Sequence, residues 1–128
     1  MEDLIIKATR FTPEIIFRYS ENYLEISGES YPENTSEFYG PVFESLTAYL
    51  NAIGDQAVTV TIRLKYFNSS SSKILINLFD HLEEFAEGGK NITVNWVHKE
   101  GDDDSREFGE EFAEDLQALT FNIISGTF

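Results

Sequence analysis

The stretch that decides the fold is AVTVTIRLKYFNSSSSKILINLFDHLEEFAEGGKNITVNWVH, residues 57–98. Residues 57–66 are typical of a strand with one buried face, because apolar and polar side chains alternate without exception from Val58 to Tyr66. Residues 91–98 repeat this alternation. Between the two strands, apolar residues recur at spacings of three and four from about Ser71 to Glu87, so we expect an amphipathic helix that ends at a pair of glycines. The apolar set predicted to face the core from the first strand is Val58, Val60, Ile62, Leu64 and Tyr66.

The flanking segments predict the rest of a mixed sheet. The strand–helix–strand unit 57–98 implies a right-handed crossover between parallel strands. The further elements indicated by the patterns are an edge strand over 4–7, strands over 14–19 and 23–28 that form a hairpin, a helix that follows residues 29–37 and ends near Gly54, a helix over about 105–117 and a last strand over 119–124. Pro41 predicts either a distorted first turn or a regular helix that begins at Pro41 itself.

The two faces of the predicted sheet differ in polarity. Parallel strands that are covered on both faces are usually apolar throughout, but here the second face carries Thr, Asn, Arg and Lys. We therefore predict an α/β fold whose helices pack mainly on one face of a mixed sheet. The open face would carry charges that are either simply solvated or part of a docking face, centred on Arg63 and Lys65, for an acidic partner or a second copy. The bases assigned to it are Arg18, Arg63, Lys65 and Lys99.

Composition narrows the classes of function. The 128 residues predict one domain spanning 1–128, and a net charge of −14 argues against nucleic acid or an anionic membrane surface as a partner. The absence of cysteine excludes disulfides and thiolate zinc sites, and no apolar run approaches the length of a membrane span. The acidic start lacks the basic head of a signal peptide, which favours a cytoplasmic location. No metal-ligand spacing and no nucleophile–base set is present, so we expect neither a cofactor, nor a metal, nor an enzyme.

A run of four serines is the most informative segment for function. It lies between the carboxyl end of the best strand and the start of a helix, where ligand and modification sites gather in open α/β sheets. A helix N-terminus favours an anion such as phosphate, and a phosphoryl group on a serine adds about −1.5 to −2 charges. The plainer interpretation is that the serines form only a helix cap and a lead-in.

Two boxes in the sequence resemble those of a known family. Tyr66-x-Asn68-Ser69-Ser70-Ser71-x-Lys73 resembles the Tyr-x-Asn-Thr-Ser-Ser-x-Lys box of the SiaC-type bacterial regulatory phosphoproteins. The second box, Gly28-Glu29-Ser30-Tyr31-Pro32-Glu33-Asn34, is similar to the family's Gly-(Asp/Glu)-Ser-Tyr-Pro-Glu-Asn. Family-like spacings are also found for Leu82-Glu83-Glu84 before Gly88-Gly89, for Trp96 and for the acidic segment 110–115. The resemblance extends from about residue 12 to residue 123.

The resemblance implies a fold like that of the STAS and anti-sigma-factor-antagonist domains, and a role in partner switching. In this family a serine/threonine kinase phosphorylates a hydroxyl at a helix start, and a metal-dependent phosphatase removes the phosphate. The unphosphorylated form binds and activates a diguanylate cyclase. The acceptor aligns with Ser69, where the family usually has threonine, while Ser70 and Ser71 remain alternates. Asn68 and Lys73 would be the further neighbours of the phosphosite.

The second box leaves two interpretations open. Tyr31-Pro32-Glu33-Asn34 is either a turn before a helix or a loop beside the phosphosite that partners touch, with Pro32 holding it rigid and Tyr31 offering an amphipathic contact. The alternatives to a phosphorylation switch are an interaction domain of the same fold whose serines are never modified, and a carrier of a small apolar ligand.

Overall fold

The computed structural model describes residues 1–128, and every predicted helix and strand is present in it. The strands are β1 Leu4–Ile6, β2 Glu14–Arg18, β3 Tyr23–Ser30, β4 Val58–Phe67, β5 Ile92–Lys99 and β6 Thr120–Gly126. The helices are α1 Thr35–Ala52, α2 Ser69–Glu87 and α3 Asp103–Ala113. None of the three helices combines the length and hydropathy that a membrane span requires.

The six strands lie side by side in their order along the chain. The first three pair antiparallel, and β3 to β6 pair parallel, with one helix in each parallel connection. Because right-handed crossovers that all advance in one direction place their helices on the same side, the sheet has one covered and one open face. The predicted hairpin and the mixed sheet with helices on one face are confirmed.

The covered face holds one hydrophobic core of 21 buried side chains. Helix α1 contributes Leu46 and Leu50, and α2 contributes Leu75, Phe79 and Leu82. The alternating residues of β2 to β5 form the other side of this core, which explains why the period of two is so regular in the sequence.

A β-bulge in β4 corrects one predicted position. Gly28 of β3 pairs with Leu64, but the next residue, Glu29, pairs with Tyr66, so the ladder skips Lys65. Beyond the bulge, Tyr66 is 53% exposed and Phe67 takes the place toward the core. The prediction that Tyr66 faces the core is therefore wrong, because a bulge inserts a residue that the alternation of the sequence does not reveal.

Pro41 lies inside α1, which is helical from Thr35 onward. The prediction that the regular helix begins at Pro41 is wrong. Proline removes one intrahelical hydrogen bond, the one that would reach the carbonyl of Glu37. Both Pro41 and Glu37 are exposed, so water can satisfy that carbonyl and the helix continues.

The contact of α3 with the sheet requires a glycine. A Cβ atom at Gly109 would lie 2.5 Å from Cδ1 of Trp96, whose indole N–H donates to the carbonyl of Ser105 at 2.8 Å. We expect Gly109→Ala to lower the free energy of unfolding by about 1–3 kcal/mol in urea titrations, since the helix or the indole must move. Gly40→Ala is the control, because its Cβ would meet nothing within 4 Å and should preserve or raise stability. Equal stability of the two variants would contradict this packing.

Candidate functional site

The serine run forms the first turn of α2 at the carboxyl edge of the sheet. β4 ends at Phe67, and the side chain of Asn68 accepts a hydrogen bond from the N–H of Ser71 at 2.9 Å, so Asn68 is the N-cap. Ser69 is the first residue of the helix. The sequence pattern predicted a helix from about Ser71, and the helix begins two residues earlier, because asparagine caps a helix as well as serine does and the cap lies at Asn68.

The three candidate acceptor hydroxyls are not equivalent. Ser71 is fully buried, and its hydroxyl donates to the carbonyl of Ser30 at 2.9 Å. Ser69 and Ser70 are exposed. A kinase that must reach the oxygen from solvent can therefore approach Ser69 or Ser70 in this fold, but not Ser71. Of the two alternates to Ser69, the buried Ser71 is out of reach in this fold. The choice between Ser69 and Ser70 stays a prediction.

A buried chain of hydroxyls joins the two sequence boxes. The Ser30 hydroxyl lies 2.8 Å from that of Ser71 and 2.6 Å from that of Tyr39 on α1. Burial raises the pKa of Tyr39 to about 12, despite the opposing hydrogen bond with Ser30. Tyr39 therefore stays protonated at neutral pH and can donate into the chain. The backbone adds a further bond, from the N–H of Asn68 to the carbonyl of Ser30 at 3.1 Å. The ends of β3 and β4 and the starts of α1 and α2 are thus fixed together.

Three rings form an aromatic cluster, defined as Phe11, Tyr31 and Tyr66, at the same edge of the sheet. The ring of Tyr31 lies edge-to-face with Phe11 at 5.4 Å and with Tyr66 at 5.6 Å. Phe11 and Tyr66 are each about half exposed. Tyr66 precedes Ser69 by three residues, so the cluster borders the serine turn. Sequence reasoning missed Phe11, because its partner is brought to it by the backbone bond from the N–H of Tyr31 to the Phe11 carbonyl.

The remaining residues of the second box are divided between structure and surface. Pro32 is buried, and the side chain of Asn34 accepts from the N–H of Glu37 at 3.0 Å as the N-cap of α1. Glu33 is exposed. Of this box, Tyr31 contacts Tyr66 beside the serine turn, whereas the exposed Glu33 lies with Asn34 next to Ile6 and Phe38. Pro32 and Asn34 shape the loop.

The basic residues around the site differ in their pairing. Lys73 is exposed, belongs to none of the four ion pairs in the structure and lies one helical turn after Ser69. On the open face, Arg63 lies 3.9 Å from Glu25, and Lys65 is exposed at the bulge. The open face therefore presents less unpaired positive charge than the sequence predicts, and the unpaired cation nearest to the serine turn along the helix is Lys73.

Glu83 anchors a loop, a structural role that its place in the motif Leu82-Glu83-Glu84 did not reveal. Its carboxylate accepts hydrogen bonds of 2.9–3.1 Å from the backbone N–H groups of Gln117, Ala118 and Leu119, and so holds the loop between α3 and β6. Burial by itself would raise the pKa of Glu83, but these hydrogen bonds hold the pKa below its usual value. The available signal was its spacing, because Glu83 follows Phe79 by four residues on the buried stripe of α2.

Comparison with known proteins identifies relatives of this chain both in sequence and in structure. A family model described as "SiaC family regulatory phosphoprotein" matches residues 6–126. An uncharacterized protein of Pseudomonas aeruginosa strain UCBPP-PA14 is 36% identical over 115 residues, which are 90% of this chain and 90% of that protein. The structure of SiaC of Pseudomonas aeruginosa is 34% identical, with a TM-score of 0.89 over 98% of this chain and all of that one. A chain in the crystal structure of the diguanylate cyclase SiaD in complex with its activator SiaC gives 0.90 at 34% identity, over 97% of this chain and all of that one.

Proposed function

This chain belongs to the SiaC family of regulatory phosphoproteins, and from that premise we propose that it is a non-enzymatic, cytoplasmic switch protein. Its unphosphorylated form binds and activates a diguanylate cyclase. A serine/threonine kinase phosphorylates Ser69 and thereby releases the cyclase, and a metal-dependent phosphatase reverses the change. The Pseudomonas aeruginosa complex, in which SiaC is the activator of the cyclase SiaD, supports the choice of effector.

The observation that carries the proposal is an exposed hydroxyl at the first position of a long helix, beside a second hydroxyl that is locked in the core. Ser69 is exposed to solvent, whereas the hydroxyl of Ser71 donates a hydrogen bond to the carbonyl of Ser30. A phosphate on Ser69 would meet the positive end of the α2 dipole and could be approached by Lys73 from the next turn. These contacts are local, so the modified protein should stay folded and change its surface instead.

The surface that changes includes the aromatic cluster. Rigid aromatic side chains such as Tyr31 and Tyr66 are common anchors in protein interfaces, because they bury a large area with little loss of entropy. An effector that packs against them would cover the Ser69 hydroxyl at the same time. We propose that the effector contacts the aromatic cluster and the Ser69 hydroxyl together. Its binding would therefore depend both on these aromatic side chains and on the phosphorylation of Ser69.

Mapping the acceptor tests the proposal. Incubation with the cognate kinase and ATP, followed by phosphopeptide sequencing, should find one phosphoryl group on Ser69. We expect Ser69→Ala to lose most of the incorporated phosphate, and Ser70→Ala to keep it. Ser71→Ala is the control for effects that act through the fold: its hydroxyl is buried, so any loss of incorporated phosphate in this variant would reflect altered folding. Phosphate found only on Ser70, or unchanged incorporation in Ser69→Ala, would refute the assignment.

A further inference from the structure

The last strand leaves one edge of the sheet open. β6 pairs with β5 on one side only, and it is the last strand in the order of the sheet. In a parallel pair, every second residue directs its N–H and carbonyl groups to the neighbouring strand, so about three residues of β6 direct theirs away from the sheet. These groups are a ready template for a further strand.

This edge lacks the features that usually prevent such pairing. β6 spans seven residues, Thr120–Gly126, and contains neither a proline nor a charged side chain. The opposite edge is formed by β1, which has only three residues and is flanked by Asp3 and Lys7. Short strands and charged side chains protect an edge against pairing, so β1 is protected and β6 is not.

Charge distinguishes β6 from most of the surface. The chain has a net charge of −14, so two copies repel each other over most of their surfaces. The longest stretch of the sequence without a charged side chain begins at Leu116 and includes all of β6. The β6 edge is therefore where two copies can approach with the least repulsion. An antiparallel pair of identical strands is also self-complementary about a twofold axis.

The apolar side chains of β6 are incompletely covered at this edge. The ring of Phe121 lies 5.3 Å from that of Phe79 on the covered face, and Ile123 packs on the same core. Both Phe121 and Ile123 nevertheless remain only partly buried. Ile124 points to the open face and is 41% exposed. A strand added beyond β6 would cover these side chains on the side where the sheet now ends.

We infer that β6 pairs antiparallel with β6 of a second copy of this chain, about a twofold axis at Asn122, so that two six-stranded sheets become one. In this register Phe121 lies opposite Ile123 of the second copy, and Ile123 lies opposite Phe121 of the second copy, so apolar side chains meet twice on the covered face. One strand pair is a small contact, so we expect a reversible dimer with a dissociation constant in the micromolar range or weaker.

The dimer would leave both serine turns free. A twofold axis perpendicular to the sheet makes the parallel strands of the two copies point in opposite directions. The two serine turns, which follow the carboxyl end of β4, therefore lie at opposite ends of the joined sheet. This inference is independent of the proposed function, and the failure of either one would leave the other standing.

Cross-linking through single cysteines tests the register, because the chain has no cysteine of its own. In Asn122→Cys the two thiols would face each other across the axis at a Cβ–Cβ distance of about 4.5–5.5 Å, within a small backbone shift of the separation that a disulfide needs. The control is Asn51→Cys, at an exposed asparagine of α1. With oxygen as the oxidant, we expect Asn122→Cys to form a disulfide-linked dimer about tenfold faster than Asn51→Cys.

Sedimentation equilibrium of the wild type and two charge variants measures the dimer itself. Ile124→Lys places a charge on the β6 edge, whereas Ile5→Lys places it on β1 at the opposite edge, where Ile5 is 52% exposed. Both variants change the net charge from −14 to −13, so only the position of the charge differs. We expect Ile124→Lys to dimerise about tenfold more weakly than the wild type and Ile5→Lys to dimerise as well as the wild type.

Salt should strengthen the wild-type dimer, because the screening length falls from about 10 Å at 0.1 M to about 3 Å at 1 M and the two acidic copies then repel each other less. A chain that stays monomeric at millimolar concentration and high salt, with Asn122→Cys cross-linking no faster than Asn51→Cys, would overturn the inference and leave the edge to an extended segment of another protein. A dimer that Ile5→Lys weakens as much as Ile124→Lys does would place the contact elsewhere and overturn it as well.

Discussion

Replacing Glu83 with alanine should lower the free energy of unfolding by about 2–4 kcal/mol, since hydrogen bonds to a charged group contribute about 1.5–3 kcal/mol and three buried or partly buried backbone N–H groups would lose their acceptor. The carboxylate is the shared acceptor for Gln117, Ala118 and Leu119, where the chain passes from α3 to the last strand. Without it, we expect β6 and the end of α3 to open locally before the rest of the sheet unfolds.

The neighbouring acid provides the control. Glu84 is exposed on the same turn, so Glu84→Ala should change stability by no more than about 0.5 kcal/mol. Urea titrations of both variants give the difference, and hydrogen exchange of the amides in 117–126 shows whether the loss of protection is local. Comparable stability of the Glu83 and Glu84 variants would show that the carboxylate does not anchor the loop.

The same carboxylate predicts a dependence on pH. Its pKa is lower in the folded state than in the unfolded chain, because the backbone N–H groups favour the charged form. The stability that it contributes is therefore complete above the unfolded pKa of about 4.3 and is lost as the pH falls through the folded pKa. We expect the stability gap between wild type and Glu83→Gln to be widest near neutral pH and to narrow below about pH 4.

Phosphorylation of Ser69 should weaken binding to the cyclase at least 100-fold, which corresponds to about 2.7 kcal/mol. A partner surface shaped for a bare hydroxyl would have to strip water from a dianion, and burying an ion without a matched cation costs several kcal/mol. Lys73 compensates only within this chain, so the partner gains nothing from it. The exposed Glu33 on the adjacent loop adds to the negative charge of this edge.

Substitutions separate charge from the loss of the hydroxyl. Ser69→Asp carries one charge and fewer oxygens, so it should weaken binding by about tenfold, less than phosphate does. Ser69→Ala should bind nearly as tightly as the wild type, because it adds no charge. Ser70→Asp is the matched control for a negative charge on an exposed neighbour. A greater loss with alanine than with aspartate would mean that the hydroxyl itself makes the important contact.

Much of the architecture could be predicted from local patterns. Strict alternation in 58–64 and helical spacing in α2 arise because one face of each element packs into the same core, so the sequence carries the period directly. The bulge at Lys65 could not be predicted, because it leaves the alternation of residue types intact while it changes the pairing. The start of α1 could not be predicted either, because a helix tolerates Pro41 only where the unpaired carbonyl of Glu37 is exposed to water, and the sequence does not report that exposure.

The candidate site was predictable as a segment but not as a set of atoms. The boxes around Ser30 and Ser69 were visible as motifs, yet three neighbouring serines look alike in sequence. Only the approach of β3 to the start of α2 buries Ser71 and leaves Ser69 in solvent. The anchor at Glu83 joins residues about 35 positions apart, and no local pattern reports such a contact.

Calorimetric titration of the cognate cyclase with the same preparation of this chain in two states, phosphorylated on Ser69 and then restored by phosphatase, tests the central claim most directly. Circular dichroism of both states checks that the domain stays folded. The switch proposed here predicts tight binding by the unphosphorylated chain, at least 100-fold weaker binding by the phosphorylated chain, and full recovery after dephosphorylation. Equal or tighter binding by the folded, phosphorylated chain would contradict it.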